Sequence, residues 1–542
     1  MLDYSHCPPF ILRTTLAVLL GACCLLPAAA PDYPCWQGAD GSASATAGVA
    51  LADPNQARLA WVCEEKIPIS YESGWSRAGW VRGGFASPVV ADGRVYLYYF
   101  TPTGDKHGEG GRWKGEYGGN TDITLIDADD VALCVDAATG EVLWKRVMAG
   151  KATNWSVNAA GAPHLTPCVA DGRVYVVGNM GRIYCLDAES GKTLWENDLG
   201  EWTAVWQAYE DYCLRTGVGM NHKQSADRIL KELEKANAPE LKALPNPGPN
   251  RGSPAAGLNF CPTVADGVLV VASNGGSSGL IGYDARTGKR LWTAGRRGTA
   301  TSPISWRHGE RTYILSQSTK LTAHDPRTGK ELWTAATGRG FGGSPVVGEG
   351  YAVTRRGDTL TCLRLSPKGA KQVWQHENKT LQTSWTSMSI ADGYLHYVVQ
   401  LRHLSRSSEA DVTDAMRDNI KRSGGGRKWS GLVSVELATG KIHRVYSGQD
   451  RNVNTVVADG LCFTDFGIYD IRDPKAARYL GDFTIEQGKR TVQLDQVGQG
   501  RGDHQLRGGG WVTPAYVGGR LYVRGFSPKE GCHRLFCLDF RR

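Results

Sequence analysis

The sequence predicts an all-β fold, an eight-bladed β-propeller carrying small helical insertions on one face. Three observations support it. A strand–turn–strand unit at 133–144 recurs at 187–195, 284–292 and 325–333 with Asp, Gly and Trp at fixed spacing, and degenerate copies follow at 363–374, 436–446 and 469–480. A second hairpin, S/T-P-x-V-x-D-G-x-V-Y, begins at Ser87, Thr166, Cys261, Ser302, Ser344, Ser387, Asn454 and Thr513. The starts from Cys261 to Ser387 lie about 41 to 43 residues apart, the length of one four-stranded blade.

Each element has a local reason. Val135 and its apolar neighbours form a buried strand up to Asp136, Thr139-Gly140 supplies a turn that needs a positive φ, and Leu143-Trp144 opens the return strand. Asp-Gly pairs such as Asp92-Gly93 and Asp171-Gly172 are the two-residue turns that tight hairpins favour. Trp61, Trp144, Trp195, Trp292, Trp333 and Trp374, with Tyr446, pack between neighbouring blades. The last hairpin ends at Cys537-Leu538-Asp539-Phe540 one strand short, and 58–65 reads as that strand carried at the N-terminal end, leaving no free sheet edge.

With 542 residues and repeats across nearly all of them, one large ring is expected at 58–542, behind an N-terminal extension at 31–57. Residues 1–30 read as an export signal, an apolar run behind Arg13 followed by Ala28-Ala29-Ala30. Leu20-Gly21-Ala22-Cys23 also resembles a lipobox ending at position 23, so two outcomes stand: cleavage after Ala30, or lipidation of Cys23. The expected location is periplasmic, anchored to the outer membrane, or secreted, with membrane contact only through a lipidated N-terminus. A net charge of +8 is mild for this length, and no Lys/Arg run or known module points to nucleic acid.

The cysteines do not form a disulfide framework by count, since fourteen less the three before Ala28 leaves eleven. Cys134, Cys185, Cys362 and Cys537 share one repeat position and read as small core residues, which also argues against a Cys532–Cys537 pair.

The D-A-x-T-G-K-x-L-W repeats on an eight-bladed scheme resemble the tryptophan-docked propellers of the pyrroloquinoline quinone (PQQ) repeat superfamily, from about Leu59 to the end. That superfamily includes quinoprotein dehydrogenases and the outer-membrane assembly lipoprotein BamB. The resemblance implies the fold; a docking motif touches no substrate, so it does not settle activity. Quinoprotein alcohol dehydrogenases carry adjacent cysteines near the cofactor, whereas the one adjacent pair here, Cys23-Cys24, lies in the signal. A BamB-like binding or assembly module is therefore the first expectation, with no cofactor. A PQQ- and calcium-dependent oxidoreductase and a carbohydrate-active enzyme are the alternatives.

Long segments fall on one face: about 101–131, 200–259, 401–431 and 480–510. The second reads as two helices, one through Trp202, Trp206, Tyr209 and Tyr212, the other from Ser225 with Ile229, Leu230 and Leu233. A weaker helix is expected at 412–421. On that face the segments leading into the innermost strands bring Arg82, Trp155, Asn158, Arg297, Arg339, Trp385, Arg451, Arg507 and Trp511 to the channel mouth. Guanidiniums offer forked donors to carboxylate or phosphate and Trp offers a flat face for a sugar or ring, so the expected ligand is a protein partner or an anionic or polyhydroxyl molecule. Asp503-His504 and His164 have no identifiable catalytic partners, so no catalytic residue is assigned. Asp127, Asp129 and Asp130 resemble a cation cluster only loosely.

Overall fold

A computed structural model of the chain describes residues 32–45, 57–68, 84, 86–107, 125–155, 165–178, 181–199, 208–209, 211–213, 215–218, 226–243, 260–272, 279–294, 301–338, 343–357, 359–377, 387–400, 430–447, 454–464, 467–480, 484–487, 490–493, 504–505, 512–527 and 530–542. Their strands form eight sheets, the blades of one propeller. Blade 1 is Val89–Ala91, Arg94–His107, Leu125–Asp136 and Val142–Trp155. Blades 2 to 7 follow in chain order with innermost strands Cys168–Ala170, Thr263–Ala265, Ile304–His308, Val346–Gly348, Ser389–Ala391 and Thr455–Ala458. Blade 8 takes Ala515–Val517, Arg520–Ser527 and Cys532–Asp539 from the C-terminal end and Arg58–Val62 from the N-terminal end.

That fourth strand closes the ring. Leu59 pairs with Leu538, Trp61 with Cys537 and Val62 with Phe536, and Ile67 bridges to His533. Two parts of one chain far apart in sequence thus share a sheet, and the edge of the last blade is covered.

The repeat motif is explained by what happens between blades. The Trp61 indole donates to the Ala137 carbonyl at 3.1 Å, Trp144 to Ala188 at 3.1 Å, Trp195 to Ala285 at 3.1 Å, Trp292 to Pro326 at 3.0 Å and Trp374 to Leu437 at 3.0 Å. In each case the acceptor belongs to the next blade's turn. The Tyr of the V-Y strand reaches the same carbonyl, Tyr96 at Ala188, Tyr175 at Ala285 and Tyr522 at Ala137. Glycine in that turn answers two demands. Gly140 has φ +80, and a Cβ there would lie 2.6 Å from the Trp61 ring, so the indole needs the space that a side chain would fill. Asp136, Asp187, Asp284 and Asp325 hold the turn by accepting from the Thr or Ser three residues on.

The Asp-Gly hairpins are tight turns with both residues at positive φ, Asp92 and Gly93 at 50 and 70 among them. They mark the plain face. On the opposite face the first long segment is partly sheet, because residues 101–107 and 125–131 continue the pairing of blade 1 outward. The second contains the helix Ala226–Lys235 with Ile229 and Leu233 fully buried, and a short 3-10 turn Pro239–Ala243 tied to Arg215 by Glu240 at 2.7 Å. Tyr209 and Tyr212 stack and are buried, so these aromatics pack the insertion. The helix expected at 412–421 lies outside the described residues. Cys134, Cys185, Cys362 and Cys537 are buried third-strand residues, and Cys532 and Cys537 are both free thiols.

Candidate functional site

The channel is built from the first residues of the innermost strands. The Thr513 amide donates to Ser87 Oγ at 2.8 Å, Ser87 N to Thr166 Oγ1 at 3.0 Å, Cys261 N to Ser302 Oγ at 2.9 Å, Ser302 N to Ser344 Oγ at 2.8 Å and Ser387 N to Asn454 Oδ1 at 2.8 Å. Each amide thus passes to the side chain of the next blade. The S/T of the hairpin motif is a link in a hydrogen-bonded annulus just below the mouth, a role that its spacing alone did not disclose. Two hydroxyls in this ring, Ser387 Oγ and Thr513 Oγ1, are buried without a partner.

Beneath the mouth, blades 8, 1 and 2 share a buried polar cluster. Arg524, fully buried, reaches the Ala86 carbonyl at 3.4 Å, and burial lowers its guanidinium to about 9 despite the nearby Tyr99 and Tyr98. Asp130 accepts from Tyr98 at 2.6 Å and from Tyr184 of blade 2 at 3.2 Å. Gly178 makes that approach possible, since a Cβ there would meet Asp130 Oδ2 at 2.1 Å. Tyr99 donates to Glu65 at 2.7 Å, and Lys145 reaches the same oxygen at 2.8 Å. Burial, then the Glu65 bond, pushes the Tyr99 phenol far up, so it stays a donor. The cluster fixes blades to one another; its groups are spent on protein partners.

The plain end of the channel holds a feature that the sequence did not signal. Residues 33–45 run round the inside of the ring. Tyr33 exchanges two 2.9 Å backbone bonds with Val90 of blade 1, Val169 N donates to the Pro34 carbonyl at 2.8 Å, Val347 N to Gly41 at 3.0 Å, Ile390 N to Ser42 at 2.8 Å and Val457 N to Ala43 at 3.1 Å. Ser44–Ala45 then pairs in parallel with blade 7. Cys35, Trp36 and Gly41 lie beside Cys261 and Ile304 of blades 3 and 4. This inner loop satisfies amides that innermost strands would otherwise present to the channel. Its small residues, Gly38, Ala39, Gly41 and Ser42, are the one available signal: a Cβ on Gly41 would meet Ile304 at 2.4 Å.

Of the site residues expected from sequence, Arg82, Asn158, Arg297, Arg339, Trp385, Arg451, Arg507 and Trp511, with Cys23, lie outside the described residues, as do His164 and Asp503. Trp155 is placed by its backbone only, at the end of the outermost strand of blade 1. Of the acidic trio, the side chain of Asp127 lies outside what is described, and the other two part company: Asp129 accepts from Gly150 N at 2.7 Å, while Asp130 is buried against the tyrosines on the opposite side of the strand. Among the described residues no three His, Cys, Asp or Glu side chains converge as a metal would need.

A family model described as outer membrane protein assembly factor BamB matches residues 128–307 and 301–403. The chain is 40% identical over 76 residues to the outer membrane protein assembly factor BamB of Alkalilimnicola ehrlichii, covering 14% of this chain and 18% of that protein. It is 24% identical over 162 residues to the quinohemoprotein alcohol dehydrogenase ADH-IIG of Pseudomonas putida, covering 26% of this chain and 21% of that protein. The matches thus span about a fifth of each relative's length. Among solved structures it is similar to BamB from Moraxella catarrhalis, with a TM-score of 0.41, 11% identity and coverage of 82% and 98% of the two chains. Quinohemoprotein alcohol dehydrogenase from Comamonas testosteroni aligns with a TM-score of 0.49, 12% identity and coverage of 94% and 80%.

Proposed function

We propose that this chain, which belongs to the PQQ-like β-propeller family represented by the BamB model, is an exported binding or assembly module whose protein partner or anionic or polyhydroxyl ligand docks at the channel mouth on the long-loop face. The observation that carries this reading is the inner loop. Residues 33–45 fill the plain end of the channel by bonding to the innermost strands, so the ring offers its axis from the other side. The segments that lead into the innermost strands, which the sequence reading assigns to that side, carry Arg297, Arg339, Arg451 and Arg507 beside Gly and aromatic residues. Guanidiniums gathered round an axis attract negative groups. A name shared with assembly factors supports a protein partner in general terms.

A PQQ-dependent oxidoreductase is the alternative reading; the inner loop takes the axis beside blades 1, 2, 5, 6 and 7 at the plain end, so a cofactor too would have to enter from the long-loop face.

The test is site-directed photocrosslinking in the native host. A crosslinker at position 297 or 339 should capture a discrete partner, and one at the plain-face turn position 171 or 266 should not. Capture from the plain face alone overturns the assignment of the mouth. Stoichiometric uptake of PQQ with calcium, read by absorbance, would replace the binding module with an oxidoreductase.

A further inference from the structure

The inner loop brings two cysteines together. The Pro34 carbonyl accepts from Val169 N at 2.8 Å, and Cys35 and Cys168 are the residues on either side of that bond. Peptide geometry across so short a link keeps their Cα atoms near the separation of at most about 7 Å that a disulfide requires. Both are free thiols in the structure, with Cys35 Sγ donating to the Gly38 carbonyl at 2.9 Å, and Cys168 is the neighbour that most raises the Cys35 thiol. Cys261 lines the same cavity as Cys35, but no backbone hydrogen bond joins its strand to the inner loop in the way that Val169 is joined to Pro34 among the described residues. Cys134, Cys185, Cys362 and Cys537 each sit in the third strand of a different blade, engaged in core packing.

We propose that Cys35 and Cys168 form a disulfide that locks the inner loop into the channel. Two S–H bonds break and one Sγ–Sγ bond forms. The two electrons and two protons pass to a disulfide of a thiol-exchange reagent, such as oxidised glutathione or a disulfide-donating oxidase, which leaves as two thiols. The contact with Cys168 and burial hold the Cys35 thiol well above its ordinary range, so little thiolate exists once the loop is seated. The bond therefore forms as the loop enters, and the closed ring then shields it from reductant. The crosslink encloses the whole of blade 1 and the seam through which the N-terminal strand closes blade 8, so it constrains the unfolded chain where the ring is joined.

The experiment refolds the full chain from denaturant with oxidised glutathione present, denatures it again without reductant in excess iodoacetamide, and maps peptides by mass spectrometry. The expected result is that Cys35 and Cys168 are missing from the alkylated pool and appear as one crosslinked peptide that dithiothreitol releases. Cys35→Ser should return Cys168 to the alkylated pool, and reduction should lower the melting temperature of the parent chain but not of this variant. Recovery of both cysteines alkylated from the oxidised parent chain, or of Cys168 joined to Cys261, overturns the proposal. The peptide map of the parent decides even if the variant fails to fold.

Discussion

The seam between blades 8 and 1 and the seam between blades 4 and 5 use the same tryptophan on the same outer strand, and they are finished differently. At the first, Trp61 lies over Gly140, and the Ala137 carbonyl accepts from Trp61, Tyr522 and Arg520. At the second, Trp333 is equally buried but its indole nitrogen has no partner. The reason is local. Blade 5 replaces the Asp-to-Gly turn with Ser366-Pro367-Lys368-Gly369, a short hairpin in which Leu365 pairs with Ala370. The carbonyl and the glycine that would receive the ring are therefore absent from their places. Apolar packing of Trp333 among Leu363, Leu365 and their neighbours, with a Gln317 to Arg355 carbonyl bond at 3.2 Å, holds that seam instead. A seam between sequence neighbours tolerates a missing hydrogen bond, whereas the seam joining distant chain segments carries its full set.

The largest expected effect comes from breaking the complete seam. Trp61→Ala removes a buried aromatic and should cost about 3 to 5 kcal/mol, measured by denaturant unfolding. Deleting residues 58–67 should cost more, because it also uncovers the edge of the strand Cys532–Asp539. An unchanged unfolding midpoint in either would mean that ring closure lies elsewhere.

Gly140→Val tests the turn itself. A side chain there meets the Trp61 ring and must also adopt φ +80, so a loss of roughly 2 to 4 kcal/mol is expected from overpacking and left-handed backbone together. Gly93→Val isolates the second cost, since Gly93 shares a positive φ but faces open space. If the two variants lose the same stability, the docking contact contributes nothing.

The closure blade should be acid-sensitive, as should blade 7, where Arg472 and Arg478 hold the Asp470 carboxyl well below the usual carboxylate range. Burial alone would raise Asp539, yet hydrogen bonds from Arg541, with Arg520 nearby, bring it down to about 2, and the Arg534 bond brings Glu530 to about 2 as well. Folded values below the ordinary carboxylate range give stability that is complete above about pH 4 and is lost as pH falls through about 2. Asp539→Asn should remove roughly 2 kcal/mol at pH 7 and flatten the acid limb of the stability profile. A limb as steep as in the parent chain would assign acid sensitivity to other carboxylates.

These contrasts also explain what the sequence could say. The Asp, Gly and Trp of the repeat and the Asp-Gly hairpins are dictated by turn geometry and by contacts at constant spacing, so ring, blade number and closure were readable from residues such as Gly140 and Trp61. The inner loop at 33–45 was not, because it is held by main-chain hydrogen bonds that any small residue can make and it has no periodicity. The annulus role of Ser87 and Thr166 was hidden for another reason: its bonds join positions in different blades. The Arg residues of the mouth were grouped by their position ahead of the innermost strands alone.

The smallest expected effect is also the sharpest comparison. Trp292→Phe deletes an indole donor that meets the Pro326 carbonyl at 3.0 Å, leaving a buried acceptor short of a partner, whereas Trp333→Phe deletes a donor that has none. Both substitutions lose similar ring volume, so packing losses nearly cancel between them. The difference should be about 1 kcal/mol, the net worth of one hydrogen bond, with the blade 3 variant the less stable. Equal losses would show that docking is packing alone and that the turn carbonyl is incidental. A larger loss at Trp333 would mean that the seam between blades 4 and 5 depends on its indole in a way that its unpaired nitrogen does not reveal.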